Sequence, residues 1–314
     1  MIVDVNPEFG IELTLAVPYA YWLHTNNLLG KVNVCKGMAP YYYFADNVNE
    51  IFEQRDLDNN RALKDIPNKW LHHNATSVMG KEYSELTLNE QNLVNGVVDY
   101  SKWICPPYKE YYKNNLFDEF KPFIVVNNIF NSQNGEYGFK PYRYFDIQNL
   151  YDIFTYLTEK GYTVIYKRPE NSEFPNDPNE SMSNSSDLTA NVEGVGIIND
   201  YQLCEYFDNV FELNKLHKTK FNNLDYSTLN LKLFAESSGF ISVNGAGSQL
   251  CACYGKPIIL YIRSGIDMRT GYYQNDNCYM KRLSGSPIFT VYDDYRVNNK
   301  RLYSELNNII KTVF

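Results

Sequence analysis

Short apolar runs alternate with amphipathic stretches through the second half of the chain. The runs predict strands over 123–128, 163–167, 195–198, 210–213, 240–243 and 257–262. Helical spacing falls between them, over 146–160, 201–208, 226–238 and 248–254. In the first of these helices Leu150, Ile153, Phe154 and Leu157 share a face, Asp146 stands at the start and Gly161 at the stop. Strands alternating with helices predict βαβ units and a mostly parallel α/β sheet. The stretch 1–115 is less regular. Strands are predicted there over 2–5 and 31–35, around a helix over 12–29 that Pro18 kinks or restarts. A further helix is predicted over 46–55, DNVNEIFEQR, with Asp46 as its N-cap.

A chain of 314 residues has room for two domains of ordinary size. The pattern divides it into units at 1–115 and 116–297, with 106–122 as the crossing segment and an amphipathic helix over 298–314 packing back. Residues 170–193 break the alternation. They hold six acidic residues and no lysine or arginine, with Pro, Asn and Ser throughout, and read as a mobile acidic loop. That loop carries most of the net charge of −8, so the rest is nearly neutral and nucleic acid is not the expected partner. No run approaches the ~18 apolar residues that span a bilayer. The opening MIVDVNPEFG lacks the basic and apolar regions of a signal peptide, so the six cysteines are expected as reduced thiols in the cytoplasm and the sequons at Asn74, Asn179 and Asn184 carry no weight.

The candidate chemistry centres on FISVNGAGSQLCACYGKPIILYI, residues 240–262. A strand meets Gly245, Ala246, Gly247 and Ser248 and then a compact helix. Ligands of parallel sheets bind beyond the carboxyl ends of the strands, and glycines let an anion approach the backbone. The turn is neither a Walker A motif nor the six-residue dinucleotide fingerprint, because Leu250 stands where the third glycine belongs. A tight turn with no ligand would look the same. Lys167 and Arg168 end the strand 163–167, and Arg168 could fork onto a diphosphate or pair with Glu170 or Glu173. Asn127, Asn128, Lys140 and Arg143 lie in or near the loop after the first strand of the second unit, where binding residues concentrate. Glu236 ends a helix, as a solvated carboxylate or as a partner for ribose or sugar hydroxyls. Twenty-eight tyrosines suit stacking on sugar rings, although AT-rich codons would produce the same bias.

The string FAESSGFISVNGAGSQLCACYGKPIILYI resembles the donor-gripping segment of GT-B nucleotide-sugar glycosyltransferases, heptosyltransferase-like families among them. FIVVNN and IYKRP are similar to stretches of uncharacterised glycosyltransferase-like proteins, some of them viral. The resemblance implies two Rossmann-like lobes facing an interlobe cleft, acceptor-side over 1–115 and nucleotide-sugar-binding over 116–297. It implies a donor diphosphate over the turn, with a donor-binding set of Asn127, Asn128, Arg143, Arg168, Glu236, Asn244, Gly245, Ala246, Gly247, Ser248 and Gln249. Asn244 replaces the aspartate usual in the heptosyltransferase pattern, and Leu250-Cys251 stands where that family has histidine. Enzymes of this class typically use no metal and no cofactor beyond the nucleotide-sugar co-substrate.

An inverting transfer needs a general base. Asp46 and His24 are the leading candidates, with Glu50 and His72 behind them. Asp46 follows the aromatic run YYYF and serves equally well as a helix cap. Asp56 and Asp58 have the DxD spacing of metal-dependent transferases but no strand precedes them, and His72-His73 are adjacent and cannot easily share a metal. The expected function is metal-independent transfer of a sugar from a nucleotide diphosphate to a carbohydrate or glycolipid, with a homodimer among the expected assemblies, in the host cytoplasm if the source is viral. The alternatives are a nucleotide-sugar 2-epimerase of the same fold and an inactive sugar-nucleotide-binding scaffold.

Overall fold

The computed structural model describes residues 1–55, 83–85, 101–133, 143–169, 180–182, 188–192, 196–263, 279–293 and 303–314. It opens with β1 (Ile2–Asp4), followed by α1 (Phe9–Ile11), a π-helical segment at Glu12–Ala16, and α2 (Val17–Thr25). The π segment ends just before Pro18, which stands in the first turn of α2. Proline has no N–H to give the Thr14 carbonyl one turn back, and the Trp103 indole Nε1–H donates there instead. Pro18 thus restarts the helix rather than ending it. The segment also carries Glu12, fully buried, whose Oε2 pairs with Arg55 at 2.7 Å and whose Oε1 accepts from the Tyr42 hydroxyl at 3.1 Å. Burial pushes the Glu12 carboxyl up, against the pull of Arg55.

β2 (Lys31–Cys35) and β3 (Val48–Phe52) complete a parallel sheet in the order β1-β2-β3. The helix expected over 46–55 is therefore a strand, and Asp46 caps nothing. Val48, Ile51 and Phe52 favour a pleated surface, and pairing with β2 outweighs the helical spacing. After α3 (Tyr108–Tyr111) the chain enters a second sheet with β4 (Phe123–Asn127). Along the remaining chain come β5 (Asn131–Gln133), α4 (Ile147–Glu159), β6 (Thr163–Lys167), β7 (Glu180–Met182), β8 (Thr189–Val192) and β9 (Gly196–Asn199). Next are α5 (Asp200–Cys204), β10 (Val210–Glu212), α6 (Leu213–Thr219), α7 (Tyr226–Glu236), β11 (Gly239–Val243) and α8 (Ala246–Cys251). The chain ends with β12 (Ile258–Ile262), α9 (Tyr279–Ser284), β13 (Ile288–Tyr292) and α10 (Ser304–Val313).

Six strands form one wholly parallel sheet in the order β10-β6-β4-β11-β12-β13. Counted from β4, the order is third, second, first, fourth, fifth, sixth, the doubly wound arrangement. Chain direction across the sheet reverses between β4 and β11, and doubly wound sheets take their ligands in the crevice beyond the carboxyl ends of such strands. The strand expected over 195–198 lies elsewhere: β9 pairs antiparallel with β8, and β13 supplies the sixth strand. Parts of the stretch 170–193 are β structure, since β7 pairs with β5 and β8 with β9. Period-two alternation sends Phe123 and Val125 to a core shared with the N-terminal sheet, and Ile124 and Val126 to a core under α4 and α10. The C-terminal helix packs on the second of these faces. There the Tyr303 hydroxyl donates to Asp146, and the Phe314 ring fills the space where Gly239 has no Cβ.

Candidate functional site

The crevice is built from the last residues of β4, β6 and β11. Asn127 ends β4 with its side chain buried, its Nδ2 donating to Ser242 Oγ at 2.8 Å. Lys167 ends β6, and its Nζ donates to Asn127 Oδ1 at 3.3 Å. Its ammonium also acts on the Cys251 thiol in α8, opposing the burial that pushes that thiol up. A lysine only 5% exposed thus reaches from β6 across the end of β4 towards α8. It places a positive charge over the point where the strand order reverses.

The small residues have separate reasons. Gly245 sits at φ +147°, a conformation L side chains rarely adopt, with open space beside it. A Cβ on Gly247 would lie 2.5 Å from Asn127 Nδ2, so this glycine admits the asparagine. Ser248 closes the turn on itself: its Oγ accepts from the Gly245 N–H and donates to the Gly245 carbonyl. The N–H groups of Ala246 and Gly247 open the helix. Gln249 faces the N-terminal helix, where a Cβ on Gly10 would meet its Oε1 at 2.6 Å. That buried oxygen has no hydrogen-bond partner among the described residues. The start of α1 therefore packs directly against the turn.

The other expected donor residues are placed differently. Arg168 does fork onto a carboxylate, but it is Asp200: Nε donates to Oδ2 at 2.6 Å and Nη2 to Oδ1 at 3.1 Å, both residues being buried. Its guanidinium also lies 4.5 Å from the Tyr201 ring centroid. Asn128 is likewise structural. Its Oδ1 accepts from the N–H groups of Ile129 and Phe145, and its Nδ2 donates to the Phe145 carbonyl and the Tyr166 hydroxyl. Arg143 is half-buried two residues before Phe145, on the same loop. Asn244 is buried at the end of β11, its N–H donating to the Tyr261 carbonyl.

Glu236 stands at the wrong edge of the sheet, because the end of α7 precedes the first residue of β11. There it accepts from the Asn114 N–H at 2.7 Å and pairs with Lys121. Burial raises its pKa, but Lys121 and the Asn114 N–H together hold it below the usual carboxylate range. His24 and Asp46 are exposed, and the His24 ring stacks on Tyr21 with Phe44 tilted beside it. Fourteen residues at about 1.5 Å each separate His24 from Gly10, roughly 20 Å along the helical path away from the turn. Lys140, Asp56, Asp58, His72, His73, Asn74, Asn179 and Asn184 lie outside the described residues.

Lys167, Ser242 and Asp200 are the site residues that sequence reasoning left out of the donor set. Lys167 carried a signal, a cation as the last residue of a buried strand. Asp200 did not, since its partners stand 32 and 34 residues away. A second cluster mirrors it across the central strands. The Tyr261 hydroxyl donates to Asp293 Oδ2 at 2.6 Å, and Arg263 Nη1 lies 3.5 Å from the same oxygen. No group of three or more metal-capable side chains occurs among the described residues, and no described helix is long and apolar enough to cross a membrane.

No known protein family matches the sequence, and no curated protein sequence matches it. Solved structures do. A heptosyltransferase of E. coli in a structure with ADP superposes with a TM-score of 0.50 at 11% identity, over 99% of this chain and 97% of that one. The ADP-heptose LPS heptosyltransferase II of E. coli gives 0.47 at 9% identity, over 99% and 98%. A family 9 glycosyl transferase from Veillonella parvula gives 0.46 at 9% identity, over 100% and 89%. The chain has a GT-B-like glycosyltransferase fold, with mostly parallel α/β sheets.

Proposed function

We propose that the protein is a glycosyltransferase that takes a sugar from a nucleotide diphosphate and passes it to a carbohydrate or glycolipid acceptor. The observation that carries this reading is Lys167, a buried ammonium that reaches from β6 to Asn127 at the end of β4, whose amide lies against Gly247 of the turn. A diphosphate bound there would meet that cation, the Asn127 amide and the N–H groups of Ala246 and Gly247. Preorganised donors of this kind stabilise the negative charge that grows on a leaving diphosphate, without a metal ion. Gln249 offers a buried acceptor for a sugar hydroxyl where α1 meets the turn. The acceptor would approach from the N-terminal sheet, whose helix reaches the turn at Gly10.

The test is a thermal-shift panel of UDP-, GDP-, ADP- and CMP-linked sugars, followed by assay of nucleotide release with and without oligosaccharide acceptors. One base should stabilise the fold, by about 2.7 kcal/mol at a hundredfold excess over Kd. Lys167→Met should diminish that stabilisation. A panel with no shift at all would remove the donor-site reading.

A further inference from the structure

A buried ion pair often stabilises a fold no better than apolar residues of the same volume, so one placed at the rim of a binding crevice calls for another reason. Asp200 sits at such a place. It is the first residue of α5, set by a capping box in which Asn199 and Gln202 exchange hydrogen bonds. Its Oδ2 accepts from the Tyr166 hydroxyl at 2.6 Å and from Arg168 Nε at 2.6 Å, and its Oδ1 from Arg168 Nη2 at 3.1 Å. The Tyr166 hydroxyl in turn accepts from Asn128 Nδ2 at 3.0 Å. The Arg168 carbonyl accepts from the Tyr201 hydroxyl and from Asn214 Nδ2. Side chains alternate faces along a strand, so Tyr166 and Arg168 are fastened on one face of the sheet while Lys167, between them, points to the other. On that other face lies α8, whose Leu250 and Cys251 belong to the core shared with the N-terminal sheet.

We propose that Asp200 is a positioning residue of the anion crevice: through Tyr166 and Arg168 it fixes the end of β6 so that the Lys167 ammonium is held over the switch point between β4 and β11. The inference rests on the donor-site reading above. Asp200 touches no ligand and acts only through its neighbours. Its removal weakens recognition of the diphosphate and leaves recognition of the nucleoside alone.

The experiment measures binding of inorganic pyrophosphate, of ADP, UDP and GDP, and of the matching nucleosides by calorimetry, with circular dichroism confirming the fold of each variant. Asp200→Asn keeps the volume and removes the charge. Tyr166→Phe removes only the hydroxyl between Asn128 and Asp200, and serves if Asp200→Asn does not fold. Either variant should bind pyrophosphate and the favoured nucleoside diphosphate about tenfold more weakly, a change of about 1.4 kcal/mol, with nucleoside binding unchanged. In a Lys167→Met background the same substitutions should add nothing, because the group they position is gone. Folded variants that bind pyrophosphate like the wild type, or lose nucleoside and diphosphate equally, overturn the positioning role alone. A wild-type protein that binds neither pyrophosphate nor any nucleoside diphosphate overturns the donor site itself, and this inference with it.

Discussion

Gly247 and Gly10 both lack a Cβ for reasons of space, yet their substitution should have unequal effects. At Gly247 the intruding methyl meets Asn127 Nδ2 at 2.5 Å, and that amide is held from both sides by Ser242 and Lys167. At Gly10 it meets the end of a longer side chain, Gln249, which can turn aside, and lies 3.3 Å from the Ala246 Cβ, a distance a shift of a few tenths of an ångström relieves. Gly247→Ala should therefore destabilise by about 1–3 kcal/mol and Gly10→Ala by about 1 kcal/mol or less in urea denaturation. Equal effects would mean that the Asn127 amide is not pinned. Lys256 presents a similar contrast between sequence and structure. Its ammonium donates to the carbonyls of Phe234, Ala235 and Ser237 at 2.6–2.8 Å, closing the end of α7, and nothing in the Gly-Lys-Pro string announces that role. Lys256→Met should cost about 2–3 kcal/mol, read in the same denaturation. Single residues were legible where the backbone itself makes the demand, as at Gly245 with its positive φ. They were not legible where a partner decides the role. No local pattern points Arg168 to an aspartate 32 residues away, and Glu170 and Glu173, the partners expected for it, lie outside the described residues.

Elements were read well where apolar runs are flanked by turn residues on both sides. The strands of 163–167 and 240–243 fall in place because Gly161, Gly239 and Gly245 punctuate them. The misreadings share a cause. In 46–55 the spacing of apolar residues fits a helix and a strand equally, and a paired neighbour 16 or 17 residues back settles it. In 195–198 the run is β-forming, but its partner is the preceding strand rather than the parallel sheet. The element end at Glu236 illustrates direction as well as type: a helix leading into a parallel strand finishes at the edge away from the crevice. There the carboxylate ties the segment near Asn114 and Lys121 to α7, and its pKa lies below the unfolded value of 4.5. A carboxylate depressed in this way stabilises the fold at pH above its unfolded pKa and loses that contribution as pH falls through the folded one. Melting curves of wild type and Glu236→Gln should accordingly differ near neutral pH and converge as the pH drops below 4.5. Curves separated by the same interval throughout would show that the ionised clamp contributes nothing. Nucleotide binding should be untouched in Glu236→Gln, since the residue stands across the sheet from the turn.

At the scale of the molecule, the sequence divides near 115 and the GT-B-like fold suggests two bodies, while the packing joins them. One continuous core holds Val3 and Val34 of the first sheet, Leu13 and Leu15 of the π segment, Phe123 and Val125 of β4, and Leu250 and Cys251 of α8. The contact between α1 and the turn at Gly10 and Gln249 belongs to the same surface. Two independently stable domains would each bury their own core and meet through a smaller, more polar interface. Residues of α8 that pack between the sheets cannot lose one neighbour without exposing apolar surface to the other side. Unfolding of the N-terminal sheet should thus remove support from the donor turn, and the two should melt together. Scanning calorimetry is expected to give a single transition with calorimetric and van't Hoff enthalpies in agreement. A sugar nucleotide bound at the turn would shift the whole transition rather than one part of it. Two resolved transitions, with only the later one moved by ligand, would instead mean that the sheets are separate folding units and that the shared core forms only when both are already folded.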